Sequence, residues 1–286
     1  MVGNHVGLSG QARVRYEERG YYFPVQVLED SEAAEFRARF INHLENNGEL
    51  LRALPPKDQY VVLSETHTYL EWVYQIVSNR KVLDAVESIL GANLLVWGSR
   101  WFSKMPGDKT YVTWHQDATY WGFHPPNVTT AWIALSESIL ENGCMRVVPE
   151  THRGDLLPQK DTYAPDNALT RGQEIAVEVD ESRAVDIILH PGEMSLHHIK
   201  IVHGSNVNMS DKRRIRIAVR YITPDVTSEG PEREKAMLLR GKDEFHNFEI
   251  LDPPEHDVLW NGEIPEIIRS RMKNLMPKDF ALPRVP

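Results

Sequence analysis

The segment Val112–Trp121 reads VTWHQDATYW and places His115 and Asp117 two residues apart in a stretch rich in β-forming residues. Alternate side chains of a β-strand face the same side, so a strand would direct both groups toward one point. A neutral imidazole and a carboxylate that meet at one point are suited to bind a metal ion. Because an H-x-D pair also arises often by chance, a metal site requires support from elsewhere in the chain.

Composition narrows the class of protein before any other motif is considered. The chain has 286 residues, 41% of them hydrophobic, with a net charge of −9 and no run rich in lysine or arginine. This balance predicts no nucleic-acid partner, and the longest apolar runs are too short to span a membrane. Cys144 is the only cysteine, so no internal disulfide can form. Since the N-terminus lacks the apolar core of a signal peptide, we expect a cytoplasmic protein.

Hydrophobic spacing predicts helices in the first third of the chain and strands after it. One helix is predicted from Asp30 to about Asn46, with Asp30 or Ser31 as its N-cap. A second helical region covers 69–91 and breaks near Ser78–Asn79. From Leu94 onward, short β-rich runs alternate with turn residues, a pattern typical of a sandwich or a closed barrel.

These elements predict one domain over residues 1–286. Its parts are a helical N-terminal buttress over about 20–91, a β-core over 94–222 and a C-terminal extension over 228–286. The extension is polar and contains prolines, with one helical stretch, IPEIIRSRMKNL, over 264–275.

Three further features resemble a known family. The run AWIALSESILENGCMRVVPETHR starts at Ala131, PGEMSLHHIKIVHGSNVNMSDKRR contains His203, and Arg214 stands eleven residues after that histidine. Together with WHQD, they resemble the motifs of the phytanoyl-CoA dioxygenase family of Fe(II)/2-oxoglutarate-dependent oxygenases. The similarity covers roughly 94–222 and is weaker in the N-terminal helices. One departure, PETH in place of the family's usual P-G-S-H, does not affect the metal motif.

The resemblance implies a mainly β fold with flanking helices, the double-stranded β-helix or jelly roll. It also implies a non-haem iron held by His115, Asp117 and His203, with three further coordination positions. 2-Oxoglutarate would take two of these positions and dioxygen the third. The implied reaction hydroxylates an unactivated C–H bond of a small molecule and releases succinate and CO2.

The same resemblance assigns residues to the co-substrate. Arg214 is expected to bind the distal carboxylate of 2-oxoglutarate, because a planar guanidinium matches a carboxylate as a two-pronged fork. Ser205 matches a family position that touches the same carboxylate. Trp132 matches a tryptophan that lines the co-substrate pocket, and Thr130 shares its strand face. For Trp132, packing in the core is an equally good explanation.

Substrate residues are expected on both sides of the metal motif. Trp121, six residues after His115, matches a substrate-facing position of a related hydroxylase, and Tyr120 lies next to it. His197, six residues before His203, matches another such position.

The last predicted strand carries charges on one face. In RRIRIAVRYI, Arg214 and Arg216 are two residues apart and therefore share one face of the strand. If the Arg214 side chain points inward, the Arg216 side chain is predicted to point inward too. Arg100 can add another charge to the same interior. A buried arginine without a partner is costly. Either internal aspartates or glutamates pair with these arginines, or the substrate is a small anion such as a carboxylate or a phosphonate.

The ligand at 117 also bears on the reaction type. In halogenases that resemble this family, a small residue leaves room for chloride, and Asp117 fills that room, so hydroxylation is favoured over halogenation. The alternative function is a cupin-like jelly-roll protein that binds metal without 2-oxoglutarate, or a non-catalytic binding module. Arg214 and Ser205 discriminate between the two, because a metal-only protein does not need a carboxylate anchor. The sequence predicts a small-molecule partner and no particular oligomeric state.

Overall fold

The computed structural model describes residues 7–53, 60–230 and 233–258. Its helices are α1 Gly10–Arg19, α2 Asp30–Asn46, α3 Gly48–Ala53, α4 Tyr60–Leu63, α5 Glu71–Val77, α6 Arg80–Leu90 and α7 Ala118–Trp121. The helix predicted over 264–275 lies outside the described residues. Across the described ranges, no helix is both long enough and apolar enough to cross a membrane.

Helix α2 covers its predicted range, but the N-cap prediction was wrong. Glu29, rather than Asp30 or Ser31, is the N-cap. Its carboxylate accepts a hydrogen bond from the backbone of Glu32, and the Glu32 carboxylate accepts one from the Glu29 N–H at 2.8 Å. This reciprocal capping box satisfies two backbone donors, which explains why the chain starts the helix one position early.

The break predicted near Ser78–Asn79 is confirmed. Helix α5 ends at Val77, and the Asn79 side chain accepts a hydrogen bond from the Lys81 N–H at 2.9 Å to cap α6. Gly91 caps the other end of α6 with φ 92°, a conformation that glycine adopts without strain.

Strands are the main regular elements of the described chain from residue 94 onward, and one strand precedes it. They are β1 Tyr21–Gln26, β2 Leu94–Lys104, β3 Val112–His115, β4 Phe123–His124, β5 Val128–Ala134, β6 Met145–Val148, β7 Gln159–Asp161, β8 Gln173–Ile175, β9 Val185–Ile187, β10 Glu193–His198, β11 Val202–Ser205, β12 Arg214–Ile222, β13 Thr227–Ser228, β14 Lys235–Arg240 and β15 Glu249–Ile250. A seven-stranded sheet has the order β1-β10-β5-β12-β2-β14-β15, and a four-stranded sheet the order β3-β11-β6-β9. Nearly all pairs are antiparallel and join strands distant in sequence, as in a jelly roll, so the predicted fold class is confirmed.

Three strands of the seven-stranded sheet lie outside the range 94–222 that was predicted for the β-core. Strand β1 precedes it, and β14 and β15 follow it within the predicted C-terminal extension. Pro24 interrupts β1, and the register with β10 shifts between Tyr22 and Val25. Proline inside a segment weakens its prediction as a strand, because proline has no backbone N–H to donate to a neighbouring strand.

Strand β12 separates two environments. Ile215, Ile217, Val219 and Tyr221 belong to the main hydrophobic core together with residues of α2, α5 and α6. There Trp101 lies 4.4 Å from Phe40, centroid to centroid, and the Tyr221 hydroxyl donates to the Val77 carbonyl at 2.7 Å. The alternate residues, beginning with Arg214 and Arg216, face the space between the two sheets. The helices therefore cover one face of the seven-stranded sheet, and its other face lines the space between the two sheets.

Strand β14 is fixed to helix α6 by a partly buried ion-pair network. The Arg240 guanidinium lies 2.5 Å from the Asp84 carboxylate and 2.6 Å from that of Glu87, and the Asp84 side chain is 5% exposed. Because Asp84 is almost fully buried, its charge depends mainly on Arg240, with the exposed Arg80 as a more distant second cation at 3.7 Å.

Replacing Arg240 with methionine should lower the free energy of unfolding by about 3 kcal/mol, because a buried carboxylate loses its cation. Urea denaturation followed by circular dichroism measures this change. The matched control is Arg39→Met, which removes an exposed i,i+4 pair with Glu35 and should cost at most about 0.5 kcal/mol. Equal losses in the two variants would contradict the structural role of the Arg240 network.

Candidate metal centre

Three side chains from two neighbouring strands and the following turn converge at one point. His115 ends β3, and His203 of β11 is its direct cross-strand partner. Asp117 follows two residues later, and one ligand atom from each of the three residues lies within 4.8 Å of the others. The His115 Nε2 is 3.4 Å from Asp117 Oδ1, and the His203 Nε2 is 3.9 Å from Oδ2.

Asp117 reaches this point by a route that strand alternation does not describe. Strand β3 ends at His115, and Asp117 has helical backbone angles, φ −57° and ψ −38°, as the N-cap of α7. The carboxylate is therefore turned back toward His115 by the start of a helix. His115 and Asp117 lie close together as expected, but the prediction that both lie on one strand was wrong.

Backbone carbonyls orient both imidazoles. The Nδ1 of His115 lies 2.9 Å from the Thr113 carbonyl, and the Nδ1 of His203 lies 3.1 Å from that of Ile201. A carbonyl only accepts, so each Nδ1 carries the proton and donates it, which leaves the Nε2 lone pair for a metal. Hydrogen bonds of this kind fix the ring of a metal-binding histidine. Two imidazoles and one carboxylate fit a divalent iron with open positions.

The local electrostatics favour the protonation states that a metal requires. Burial first, and then the like charge of His115, lower the pKa of His203 to about 4, so the ring is neutral near pH 7. Burial alone raises the pKa of Asp117, but the contact with His115 and the charges of His203, His115 and Arg220 outweigh it, and the pKa lies well below its ordinary value. A neutral imidazole and an ionised carboxylate need no deprotonation before they bind a metal ion.

The predicted co-substrate residues lie on the inner faces of both sheets. Arg214 of β12 is 1% exposed, and its Nε and Nη1 have no hydrogen-bond partner among the described residues. Thr130 and Trp132 of β5 are buried, and the Thr130 hydroxyl and the Trp132 Nε1 are also unpartnered within the described ranges. Ser205 lies on β11, two residues beyond His203. Buried donors without acceptors are costly, so this interior is suited to a polar, anionic ligand.

One residue of this interior was not predicted. Lys104 ends β2, is 3% exposed, and places its Nζ 2.9 Å from the Ser205 hydroxyl. Burial first, and then the charges of Arg214 and Arg216, lower the pKa of Lys104 to about 6. Lys104 shares a strand face with Arg100 in WGSRWFSK, and this alternation could have predicted an inward side chain. A lysine at the end of a predicted strand is, however, more often solvated.

Two of the predicted substrate residues lie beside these groups. The buried His197 ring is 5.0 Å from that of His203 and 6.4 Å from that of Trp132. Arg216 is fully buried, with its guanidinium carbon 5.4 Å from the centre of the Trp132 ring. None of the three Arg216 guanidinium nitrogens has a hydrogen-bond partner in the described part of the chain. For Arg216, internal pairing with a carboxylate, one of the two explanations considered for the arginines, is not observed in that part of the chain.

The other three predicted substrate residues have protein partners. Trp121 of α7 is half-buried, with the Arg220 guanidinium 5.1 Å from its ring centre. Tyr120 lies under Arg171 at 4.9 Å. Arg100 donates a hydrogen bond to the Ala168 carbonyl at 3.0 Å. The segment between β7 and β8 thus covers Tyr120 and Arg100, whereas Trp121 ends the short helix that Asp117 caps.

Comparison with known proteins defines the family. The family model described as phytanoyl-CoA dioxygenase (PhyH) matches residues 16–216, more than half of the chain. The chain therefore belongs to the phytanoyl-CoA dioxygenase family, a family of oxygenases that depend on Fe(II), 2-oxoglutarate and O2.

Curated relatives share about a quarter of the sequence. The chain is 27% identical over 272 residues to the peroxisomal phytanoyl-CoA dioxygenase of Bos taurus, covering 86% of this chain and 80% of that protein. It is 26% identical over 208 residues to a probable alpha-ketoglutarate-dependent hypophosphite dioxygenase of Stutzerimonas stutzeri, covering 70% of this chain. The match spans just under two thirds of the latter protein, 66% of its length.

Solved structures share the fold. The non-heme monooxygenase ThoJ is 30% identical, with a TM-score of 0.77, and the match covers 92% of this chain and 94% of ThoJ. CytC3 with Fe(II) and alpha-ketoglutarate is 22% identical, with a TM-score of 0.64 and coverage of 91% and 98%. The epimerase SnoN, in complex with Fe3+ and alpha-ketoglutarate, is 19% identical, with a TM-score of 0.60 and coverage of 77% and 85%. The last two likenesses support the fold alone.

The metal centre can be tested by direct binding. Changing His115, Asp117 or His203 to alanine should weaken Mn(II) or Fe(II) binding by more than about a hundredfold, since even residues that only orient ligands contribute ten- to a hundredfold. Isothermal titration calorimetry under anaerobic conditions measures the affinity, and circular dichroism checks the fold. The exposed His190→Ala is the matched control and should bind metal normally. Retention of full metal affinity by His203→Ala would remove that residue from the site.

Proposed function

We propose that this chain is an Fe(II)/2-oxoglutarate-dependent dioxygenase that hydroxylates an unactivated C–H bond of a small molecule. The observation that carries the proposal is a buried interior that contains both the His115, Asp117 and His203 set and Arg214, whose Nε and Nη1 have no hydrogen-bond partner among the described residues. Iron and 2-oxoglutarate, when bound, supply O2 activation coupled to the release of succinate and CO2.

The tasks of the protein side chains can be assigned from their positions. His115, Asp117 and His203 would hold the iron on one side and leave its other positions open. Arg214 would hold the distal carboxylate of 2-oxoglutarate through a two-pronged fork, assisted by the Ser205 hydroxyl. Trp132 and Thr130 would form the wall beside the co-substrate and offer their unpartnered donors to it. All of these assignments use groups that the fold buries, so water competes little for them.

Hydroxylation is the reaction that Asp117 supports best. Its ionised carboxylate occupies the position that a halide would need next to the iron, so transfer of a hydroxyl group is favoured over halogenation. Epimerisation and ring closure require the same metal centre and differ only after hydrogen has been removed from the substrate. Product analysis therefore decides between them, and hydroxylation is the expected outcome.

The substrate class that the interior favours is an anion. Arg216 has three buried donors without acceptors, and one carboxylate already bound by Arg214 has few lone pairs left for them. A relative of this chain is named as a hypophosphite dioxygenase, and hypophosphite is an oxyanion. His197 and Trp121, on the metal side of Trp132, are the proposed neighbours of the reacting carbon, with Tyr120 and Arg100 at the edge of the pocket.

The competing function is a cupin-like protein that binds metal without 2-oxoglutarate. Such a protein has no use for a buried guanidinium beside a serine, which is why the oxygenase is preferred. A small-molecule partner and a cytoplasmic location remain our predictions from composition.

Uncoupled turnover tests the proposed activity. With Fe(II), ascorbate and 2-oxoglutarate, the protein should form succinate slowly, and a panel of small carboxylates and phosphonates should contain a compound that accelerates it. Mass spectrometry of that compound should find one added oxygen atom. The His115→Ala protein is the control and should form no succinate. Tight metal binding with no succinate and no 2-oxoglutarate binding would favour the cupin-like alternative.

The two arginines should separate kinetically. Arg214→Lys should raise the KM for 2-oxoglutarate, because a point charge replaces a fork. Arg216→Ala should spare basal 2-oxoglutarate binding and weaken an anionic substrate by about ten- to a hundredfold, the effect of one charged hydrogen bond of roughly 1.5–3 kcal/mol. Titration of both ligands against both variants measures this. Equal loss of 2-oxoglutarate in both variants would mean that the arginines form one anchor and would remove the argument for an anionic substrate.

A further inference from the structure

Arg220 is the third arginine on the inner face of β12, and its surroundings differ from those of Arg214 and Arg216. Alternation along the strand places all three side chains on one face, and Arg220 is half-buried there. The charge of Arg214 acts on Arg216, whereas the charge of Arg220 acts on Asp117 and His203. The inner face of β12 therefore carries one arginine at the metal centre, away from the co-substrate residues.

The register of the sheet places Trp132 between Arg220 and the other two arginines. On β5, Thr130 is paired with Arg220 of β12, and Trp132 is the next inward residue. Thr130 is also paired with His197 of β10, so Arg220 and His197 lie on one line across three neighbouring strands. The His197 ring is 5.0 Å from that of His203. This line therefore lies on the metal side of Trp132.

The side chains around Arg220 combine an aromatic wall with a neutral imidazole. The Arg220 guanidinium carbon lies 5.1 Å from the centre of the Trp121 ring, which lies 5.2 Å from that of Trp97. His197 is 1% exposed, and its Nδ1 has no hydrogen-bond partner among the described residues. Burial first, and then the charge of His203, lower the pKa of His197 well below its usual range, so the ring is neutral. A buried ring nitrogen without a partner indicates space for a polar group of a ligand.

Metal binding changes the charge that Arg220 experiences. Asp117 is a carboxylate on which Arg220 acts, and Asp117 would bind the metal ion and then no longer offset the arginine. A divalent ion also adds positive charge to its surroundings. The carboxylate of Glu65 lies against Gly98, the β2 partner of Arg220, and is the internal group that competes with a ligand for this arginine. With a metal bound, an anion beside Arg220 is thus more favourable than in the metal-free protein.

We propose that Arg220 binds a negatively charged group of the substrate, with His197 as a neutral neighbour, and that it makes the site select acids over their uncharged analogues. This inference rests on the proposed function, since it takes the metal centre and the co-substrate site as given. It places an acidic group of the substrate on the metal side of Trp132, apart from the distal carboxylate of 2-oxoglutarate at Arg214.

Carboxylates compared with their amides test this selectivity. Straight-chain carboxylates from acetate to hexanoate and the corresponding primary amides have nearly the same size and differ in charge. Tryptophan fluorescence of the Mn(II)-loaded protein with saturating 2-oxoglutarate, without O2, gives each Kd in wild type and in Arg220→Met. Wild type should bind at least one carboxylate about ten- to a hundredfold more tightly than its amide. Arg220→Met should lose this preference, while its Kd for 2-oxoglutarate should change by less than about threefold.

Two further variants serve as controls. Arg213 also stacks on an aromatic ring, with its guanidinium carbon 5.8 Å from the centre of the Phe40 ring. Arg213→Met should keep the preference for carboxylates, because this arginine lies on the face of the sheet that the helices cover. Arg220→Lys should keep part of the preference, since the charge remains and only the planar fork is lost.

The remaining outcomes show which assignment has failed. If wild type binds 2-oxoglutarate but binds no carboxylate more tightly than its amide, the role of Arg220 is overturned and the proposed function stands. If wild type does not bind 2-oxoglutarate, the proposed function itself is wrong. If Arg216→Met loses the preference while Arg220→Met keeps it, the acidic group lies at Arg216 and the inference is overturned.

Structural damage gives a different pattern. If Arg220→Met weakens carboxylates, amides and 2-oxoglutarate equally, Arg220 only supports the fold around the metal centre, and the inference is overturned. Should Arg220→Met not fold, Arg220→Gln carries the same test, because the amide keeps hydrogen-bond donors and removes the charge. Thermal denaturation of each variant identifies which case applies.

Discussion

The cross-strand pairing of His203 with His115 is the constraint on which the metal centre depends. It fixes two imidazoles side by side, with ring centres 4.1 Å apart, before any metal is bound. Carbonyls of the same two strand regions hold the Nδ1 atoms, so the strands orient the rings as well as place them. The third ligand, Asp117, needs only the first turn of α7 to reach them. A shift of β11 by one residue would turn both His203 and Ser205 away from the interior, because side chains alternate along a strand.

Strand β12, in the facing seven-stranded sheet, has apolar side chains on one face and charged side chains on the other. Its outer residues are apolar and bury themselves against α2, α5 and α6, which anchors the strand firmly. That anchoring offsets the cost of the inner residues Arg214 and Arg216, whose buried guanidinium groups have nitrogens without acceptors among the described residues. A ligand that binds only the folded protein stabilises it by an amount that grows with the logarithm of its concentration relative to the Kd. An anionic co-substrate would therefore stabilise the region of the fold that carries the greatest electrostatic cost.

Much of the metal centre could be predicted from sequence, because its residues lie in motifs with fixed spacing. His115, Asp117 and His203 converge as the motifs suggested, and strand parity correctly placed Arg216 on the face of Arg214. What the sequence could not supply was the three-dimensional pairing. Lys104 adjoins Arg214 only because β2 lies beside β12, a contact between residues 110 positions apart, and no local pattern indicates it.

The same limit applies to local details whose signals were weak or ambiguous. Glu29 became the N-cap of α2 because Glu32 could return the hydrogen bond, although Asp30 and Ser31 are more common caps. Strands β1, β14 and β15 join the main sheet from outside the predicted core, and Pro24 weakens the prediction of β1 as a strand. Each of these outcomes was decided by a partner in the folded chain.

Two of the proposed substrate residues, Tyr120 and Arg100, contact the segment between β7 and β8. Arg171 of this segment covers Tyr120, and the Ala168 carbonyl receives the hydrogen bond of Arg100. Gln159 of β7 donates to the Thr119 hydroxyl at 2.7 Å, which ties the same segment to helix α7. Helix α7 in turn begins at the metal ligand Asp117 and ends at Trp121. A change in this segment would therefore alter Tyr120, Arg100 and the approach to the metal together. The sheets hold the iron and co-substrate residues, so variation in the covering segment can change the substrate while the metal centre stays the same.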